Sequence, residues 1–159
     1  MTQIAVARLT HSDREDWLSL FQEWQRYLSS LPLGDEVHDR TWRLLLQQNS
    51  GLIGLIARDA GGRRLGFAHV SLTPFAWAGG PIMYLQDLFV TETARKSGVG
   101  ATLLREVYKL ADEIGVAQVF WLVDQEDVPL SRFYDRYAMR THYIRFMRHR
   151  WPWYAEGQH

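Results

Sequence analysis

The chain has 159 residues and is 47% hydrophobic, which suits one domain with a substantial core and leaves no second apolar block for another. Lysine plus arginine and aspartate plus glutamate balance at 18 each, so no net field favours nucleic acid or an anionic membrane surface. The lack of cysteine excludes disulfides, thiolate metal sites and a cysteine acyl-enzyme, and six histidines without metal-ligand spacing predict no metal.

Residues 3–9, QIAVARL, alternate like a strand. THSDREDW then supplies Ser12 or Asp13 as a helix cap, and Trp17, Phe21, Trp24 and Leu28 follow at helical spacing. LPLGD, 31–35, breaks that helix, and a shorter helical stretch runs through Trp42 to Leu46. GLIGLIARD and RRLGFAHVSL read as two strands joined by a tight turn at Gly61 and Gly62. After a second turn, WAGGP, a third strand runs from Pro81 or Ile82 to Val90. Val99, Leu103, Val107, Leu110 and Ile114 form a helical stripe that Gly115 ends. VFWLV, 119–123, is apolar on both faces and predicts an inner strand covered on each side. A short helix from Val128 to Tyr137 and a last strand from Thr141 to Arg148 complete the order. The expected fold class is α/β, a single domain over 1–159 with a mixed sheet and helices on its faces. No basic segment with an apolar signal core opens the sequence and no apolar run nears membrane-spanning length, which predicts a cytoplasmic protein without membrane contacts.

Between the third strand and the striped helix lies RKSGVG, Arg95 to Gly100. A helix start leaves backbone N–H groups unpartnered at the positive end of the helix dipole, which suits phosphate oxygens. Gly98 and Gly100 open the backbone to a pyrophosphate, and Arg95 and Lys96 add charge. The plain alternative is a tight strand-to-helix turn with two surface cations. The sequence has neither the Gly-Lys-Ser/Thr of a Walker A loop nor a Rossmann G-x-G-x-x-G.

The order Arg-x-x-Gly-x-Gly, after a strand and before a helix, resembles the pyrophosphate-binding motif A of the GNAT superfamily of acyl-CoA N-acyltransferases. Residues 84–139 are similar to the central half of its diamine-acetyltransferase-type members, with YLQDLFV before the loop and Phe133-Tyr134 on the next short helix. The resemblance implies a mostly antiparallel sheet with helices on both faces and acetyl-CoA as cosubstrate. It lays the cofactor along Leu88, Phe89 and Val90, on Arg95, Lys96, Ser97, Gly98, Val99, Gly100 and Ala101, and against Asp127 and Tyr134. It also implies that a backbone N–H near Phe89 or Val90 stabilises the thioester oxyanion and that the catalytic Tyr134 protonates the coenzyme A thiolate. Without the resemblance, Tyr134 reads as a half-buried anchor of its helix. Gln86 stands where polyamine-acetylating relatives carry glutamate, Asp127 replaces an asparagine while remaining a good N-cap, and Tyr137-Ala138-Met139 replaces a Leu-Gly-Ala turn.

The expected reaction moves acetyl from acetyl-CoA to a primary amine of a small molecule, by direct attack in a ternary complex. An alkylamine with pKa about 10.4 is free base roughly once in a few thousand molecules at pH 7, so the site must remove a proton. Gln86 is not basic; Asp87 is the nearest carboxylate, but strand alternation sets it on the opposite face. Asp124, Glu126 and His69 are further relay candidates. Gln86, Asp87, Trp24 and Tyr27 form the expected acceptor site, with Phe75, Trp77 and Trp121 as other aromatics that either shape it or belong to the core. Trp151, Trp153 and Tyr154 flank Pro152 and either cover a subunit interface, making a homodimer, or pack back on the sheet. Rival readings are acetylation of a peptide or protein amine, a non-catalytic acyl-CoA-binding module, and a nucleotide-binding domain.

Overall fold

The computed structural model describes residues 3–28 and 33–147. Its elements are β1 (Ile4–Arg8), α1 (Arg14–Tyr27), α2 (Asp35–Leu46), β2 (Leu52–Asp59), β3 (Arg64–Thr73), β4 (Ile82–Val90), α3 (Val99–Ile114), β5 (Gln118–Phe120) and α4 (Val128–Tyr134). The strands form one sheet in chain order, antiparallel throughout except for the parallel β4–β5 pair. The α/β class and the mixed, mostly antiparallel sheet are those expected.

Phe67 and His69 project from β3 onto Trp17 and Phe21 of α1, so α1 covers that face. Trp42 of α2 joins the same aromatic cluster at 5.1 Å from Trp17. The alternate residues Ala68 and Val70 are fully buried on the other face, where α3 packs across the sheet. The striped residues Val99, Leu103, Val107 and Leu110 are buried there as their spacing requires, each worth roughly 1.5–3 kcal/mol of transfer free energy.

The ends of α3 are both glycine-defined. Gly115 ends it at φ 78°, and a Cβ on Gly80, just before β4, would lie 2.2 Å from the Gly115 carbonyl oxygen. Ala117 N–H donates to Pro81 C=O at 2.8 Å beside this contact, so the start of β4 is clamped to the end of α3. Asp13, one of the two expected caps, is the N-cap residue of α1, and its carboxylate accepts from the Thr10 backbone N–H at 2.7 Å. Burial opposes charge on Asp13, but hydrogen bonds from Thr10 and Arg58 hold its carboxyl below the usual carboxylate range.

Three expectations are corrected. VFWLV is not an inner strand: β5 has only Gln118–Phe120, lies at the sheet edge and is nowhere fully buried. Residues 141–147 form no strand and are exposed, while Arg148 lies outside the described residues. α4 ends at Tyr134, its last turn closing with Tyr137 and Ala138 N–H on the Tyr134 carbonyl. Residues 121–123 and 141–147 have no strand pairing among the described residues to hold an apolar run extended. Trp151, Trp153 and Tyr154 also lie outside the described residues.

The chain divides into two compact units after Trp121. The first holds the sheet and α1–α3; the second holds α4. Among the described residues no helix is long and apolar enough to cross a membrane.

Candidate active site

The site in the first unit begins as an interrupted ladder. β5 pairs with β4 only at Ile82, Met83 and Tyr84. From Leu85 to Val90, β4 is paired on its β3 side alone, so its other edge offers backbone N–H and C=O groups without a strand partner. Such an edge can pair with an amide-bearing ligand arm as it would with another strand.

The interruption coincides with a bulge. Val70 faces Leu85 and His69 faces Asp87, so Gln86 is an extra residue with no partner on β3. Gln86 Nε2 donates to Ser71 Oγ at 3.0 Å, and Asp87 Oδ2 lies 2.9 Å from His69 Nδ1. His69 and Ser71 are two apart on one strand and share a face, so Gln86 and Asp87 share it too. The expectation that alternation separates them is therefore wrong, because alternation holds only where the ladder is regular.

Asp87 is tied into the core. His69 is 2% exposed, and its Nε2 accepts from the Trp17 indole N–H at 2.9 Å. Indole donates only, so Nε2 carries no proton and the neutral ring bears its hydrogen on Nδ1, aimed at Asp87. This tautomer follows from the bonding network. Oδ2 of Asp87 is thus held by the imidazole N–H, and the Asp87 side chain is 16% exposed.

At the far end of β4 the chain turns through RKSGVG. Lys96 has φ 62° and Gly98 φ 91°, two left-handed residues around Ser97 that make a tight concave turn. A Cβ at Gly98 would meet nothing within 4 Å, so the glycine is required by its backbone angle and leaves open space. No side chain caps α3, Ser97 Oγ instead donating to Ala94 C=O at 2.6 Å. The first N–H groups of α3, from Val99, Gly100 and Ala101, therefore have neither an intrahelical partner nor a side-chain cap, at the positive end of a 16-residue helix. Arg95 donates from Nε to Val90 C=O at 3.2 Å, and its guanidinium lies 4.4 Å from the Tyr27 ring centroid.

This places Tyr27 at the corner beneath Arg95, with Phe89 at 6.2 Å. Trp24 stacks on Phe21 at 5.3 Å at the edge of the core, and Phe89 is buried in that core while Leu88 and Val90 are half-buried. Phe75 and Trp77 sit together on the β3–β4 loop, Trp77 89% exposed, and Trp121 lies 6.4 Å from Tyr108.

In the second unit, Asp127 caps α4 by accepting from Leu130 N–H at 3.0 Å, with Pro129 in the first turn. Tyr134 is half-buried, its ring 5.0 Å from that of Phe133 in a T-shaped contact. Asp124 is engaged in its own turn, accepting from Glu126 N–H at 2.9 Å. The Arg140 side chain pairs with Asp135 and holds that carboxyl below its usual range.

Sequence reasoning missed the parts played by Trp17 and Ser71. Trp17 entered only as one of four residues at helical spacing, and its partner is 52 residues away. Ser71 carried no signal at all, since only the bulge brings Gln86 to it.

Comparisons with known proteins identify the family and the fold. Residues 13–139 match the family model described as the acetyltransferase (GNAT) family. The chain is 31% identical over 147 residues to the D-amino-acid N-acetyltransferase HPA3 of Saccharomyces cerevisiae, covering 92% of this chain and 91% of that protein. A segment of 53 residues is 38% identical to the L-ornithine N5-acetyltransferase NATA1 of Arabidopsis thaliana, covering 33% of this chain and 23% of that one. Among solved structures, the aminoglycoside N-acetyltransferase AAC(6')-Iy in complex with CoA superposes with a TM-score of 0.77 at 20% identity, over 94% of this chain and 97% of that one.

Proposed function

The chain belongs to the GNAT family of acetyltransferases, and from that premise we propose that its acceptor is the primary amine of a small molecule. Membership makes it an acetyl-CoA-dependent N-acetyltransferase. The acetyl group passes by direct attack of the amine on the thioester in a ternary complex. One catalytic domain spans 1–159, a reading supported by a family match that runs through the division after Trp121. We place the enzyme in the cytoplasm.

The observation that carries the small-amine reading is the bulge, which sets a carboxamide and a carboxylate side by side next to the open edge of β4. A cation with hydrogen-bond donors, as an ammonium is, matches that pair. Relatives named for D-amino acids and for L-ornithine also act on small molecules with a primary amine. The residues fit the cosubstrate: the edge from Leu88 to Val90 suits the amide-bearing pantetheine arm, and Lys96, Gly98 and the N–H groups of Val99, Gly100 and Ala101 suit the pyrophosphate. A backbone N–H near Phe89 or Val90 meets the charge that develops on the thioester oxygen. Tyr134 returns a proton to the departing thiolate.

The test is thiol release from acetyl-CoA with D-amino acids, L-ornithine, an aminoglycoside and a lysine-containing peptide. Turnover of a free amino acid or aminoglycoside well above the peptide is expected; the reverse order overturns the small-molecule reading. Tyr134→Phe keeps the ring, removes the proton donor and should lower kcat about 10²-fold with little change in acetyl-CoA affinity. Parental single-turnover and steady-state rates in a folded variant would remove Tyr134 from the reaction.

A further inference from the structure

We propose that Asp87 takes the proton from the incoming ammonium and that His69 is its positioning residue, kept neutral by Trp17. The inference rests on the amine-acceptor reading above. Its basis is one continuous chain of contacts, Trp17 N–H to His69 Nε2 at 2.9 Å and His69 Nδ1 to Asp87 Oδ2 at 2.9 Å.

The polarity of this chain decides the roles. A histidine that accepts at Nε2 from an indole has no lone pair left for a second proton, so His69 cannot act as the base or carry charge away. What it can do is hold the carboxylate. Trp17, Phe21 and Phe67, which pack around His69, carry no ionisable function, nor does Gly54 across the β2 pairing; Asp87 does. His38 of α2 lies beyond, edge-on to Phe21 at 5.9 Å.

Asp87 itself is anchored on one side and 16% exposed on the other, as a group that exchanges protons with water must be. Gln86, beside it on the bulge, cannot take a proton, and its amide is spent on Ser71 Oγ at 3.0 Å. A carboxylate also selects the abundant cationic form of an alkylamine, so the rarity of the free base in solution does not limit binding. In the step, one ammonium proton moves to an Asp87 oxygen and the freed nitrogen lone pair attacks the thioester carbon. The C–N bond forms, the C–S bond breaks, the nitrogen loses its second proton, and the thiolate takes one up. Asp87 passes its proton to solvent, so each turnover releases one proton overall.

The experiment compares two nucleophiles in the full chain. An alkylamine, L-ornithine or D-phenylalanine, arrives protonated; hydroxylamine is mostly free base at neutral pH. Asp87→Asn should lose about 10²- to 10³-fold in kcat/KM with the alkylamine and less than about tenfold with hydroxylamine. The alkylamine loss should shrink as the pH rises, because solvent then does the deprotonation. His69→Leu should follow the same pattern more weakly, and His69→Asn, which restores an N–H near the Nδ1 position, should recover part of the loss. Equal losses with both nucleophiles, a loss that ignores pH, or no loss would each overturn the inference. If Asp87→Asn does not fold, the His69 pair is read on the same ratio, and equal ratios for Leu and Asn overturn it as well. A parent that acetylates the alkylamine while Asp87→Asn keeps pace refutes only this proposal; a parent that acetylates hydroxylamine and no alkylamine refutes the amine reading and this one with it.

Discussion

The two halves of β4 differ more than any other neighbouring parts of the molecule. From Ile82 to Tyr84 the strand is paired on both sides, with Met83 fully buried and Tyr84 stacked on Phe120 at 4.9 Å. From Leu85 to Val90 it is paired on one side only and carries Gln86, Asp87 and the edge that leads to the corner. The extra residue, Gln86, lies in the second half, one position past its start. The first half spends its backbone groups on two strand partners, and the second leaves one row of them without a strand partner among the described residues.

The division can be tested by perturbing each half. Met83→Ala strikes the doubly paired half and should cost about 2–5 kcal/mol of stability by emptying a buried site, while leaving kcat per folded molecule unchanged. Denaturant melts and active-site titration would check both, and an activity loss beyond the folded fraction would erase the distinction. Deleting Gln86 does the opposite. The pairs Val70–Leu85 and His69–Asp87 then fall into one regular register, so the fold should keep its melting temperature. Acetyl transfer should drop about 10²-fold, some 2.7 kcal/mol in barrier, because the bulge that sets a carboxamide beside Asp87 is gone. Activity within tenfold of the parent would mean that the bulge is only local irregularity. The smallest effect is expected at the corner: Gly98→Asp puts a like charge and a strained residue in the proposed pyrophosphate site, and should weaken acetyl-CoA about tenfold by calorimetry. An unchanged affinity would separate the corner from the open half of β4.

The same contrast explains what could be read in advance. β1, β2, β3, β4 and α3 were legible because their periodicity records burial on continuous, paired elements. The corner was legible because its glycines answer a local backbone demand, seen at Gly98. Hidden from view was the bulge, since no residue type announces that Gln86 has no partner; only the register against β3 does. With the bulge went the placement of Asp87 and its tie to His69 and Trp17. The strand expected over VFWLV failed for a related reason: an apolar run describes the cover it needs, whereas strand length depends on pairing, and β5 pairs with β4 only from Gln118 to Phe120.

The clamp of Gly80 against Gly115 gives the second half of β4 a mechanical property. β4, nine residues at about 3.4 Å each, and α3, sixteen residues at about 1.5 Å each, are struts of comparable length, near 30 and 24 Å. The corner ties them at one end and the Gly80–Gly115 clamp ties them at the other. A helix held this way has no slack along its axis, so an anion pulling on its first N–H groups loads the whole truss instead of drawing one turn out of place. Compliance is left in the transverse direction, at the joint that Gln86 makes, where the strand can flex without moving the start of α3.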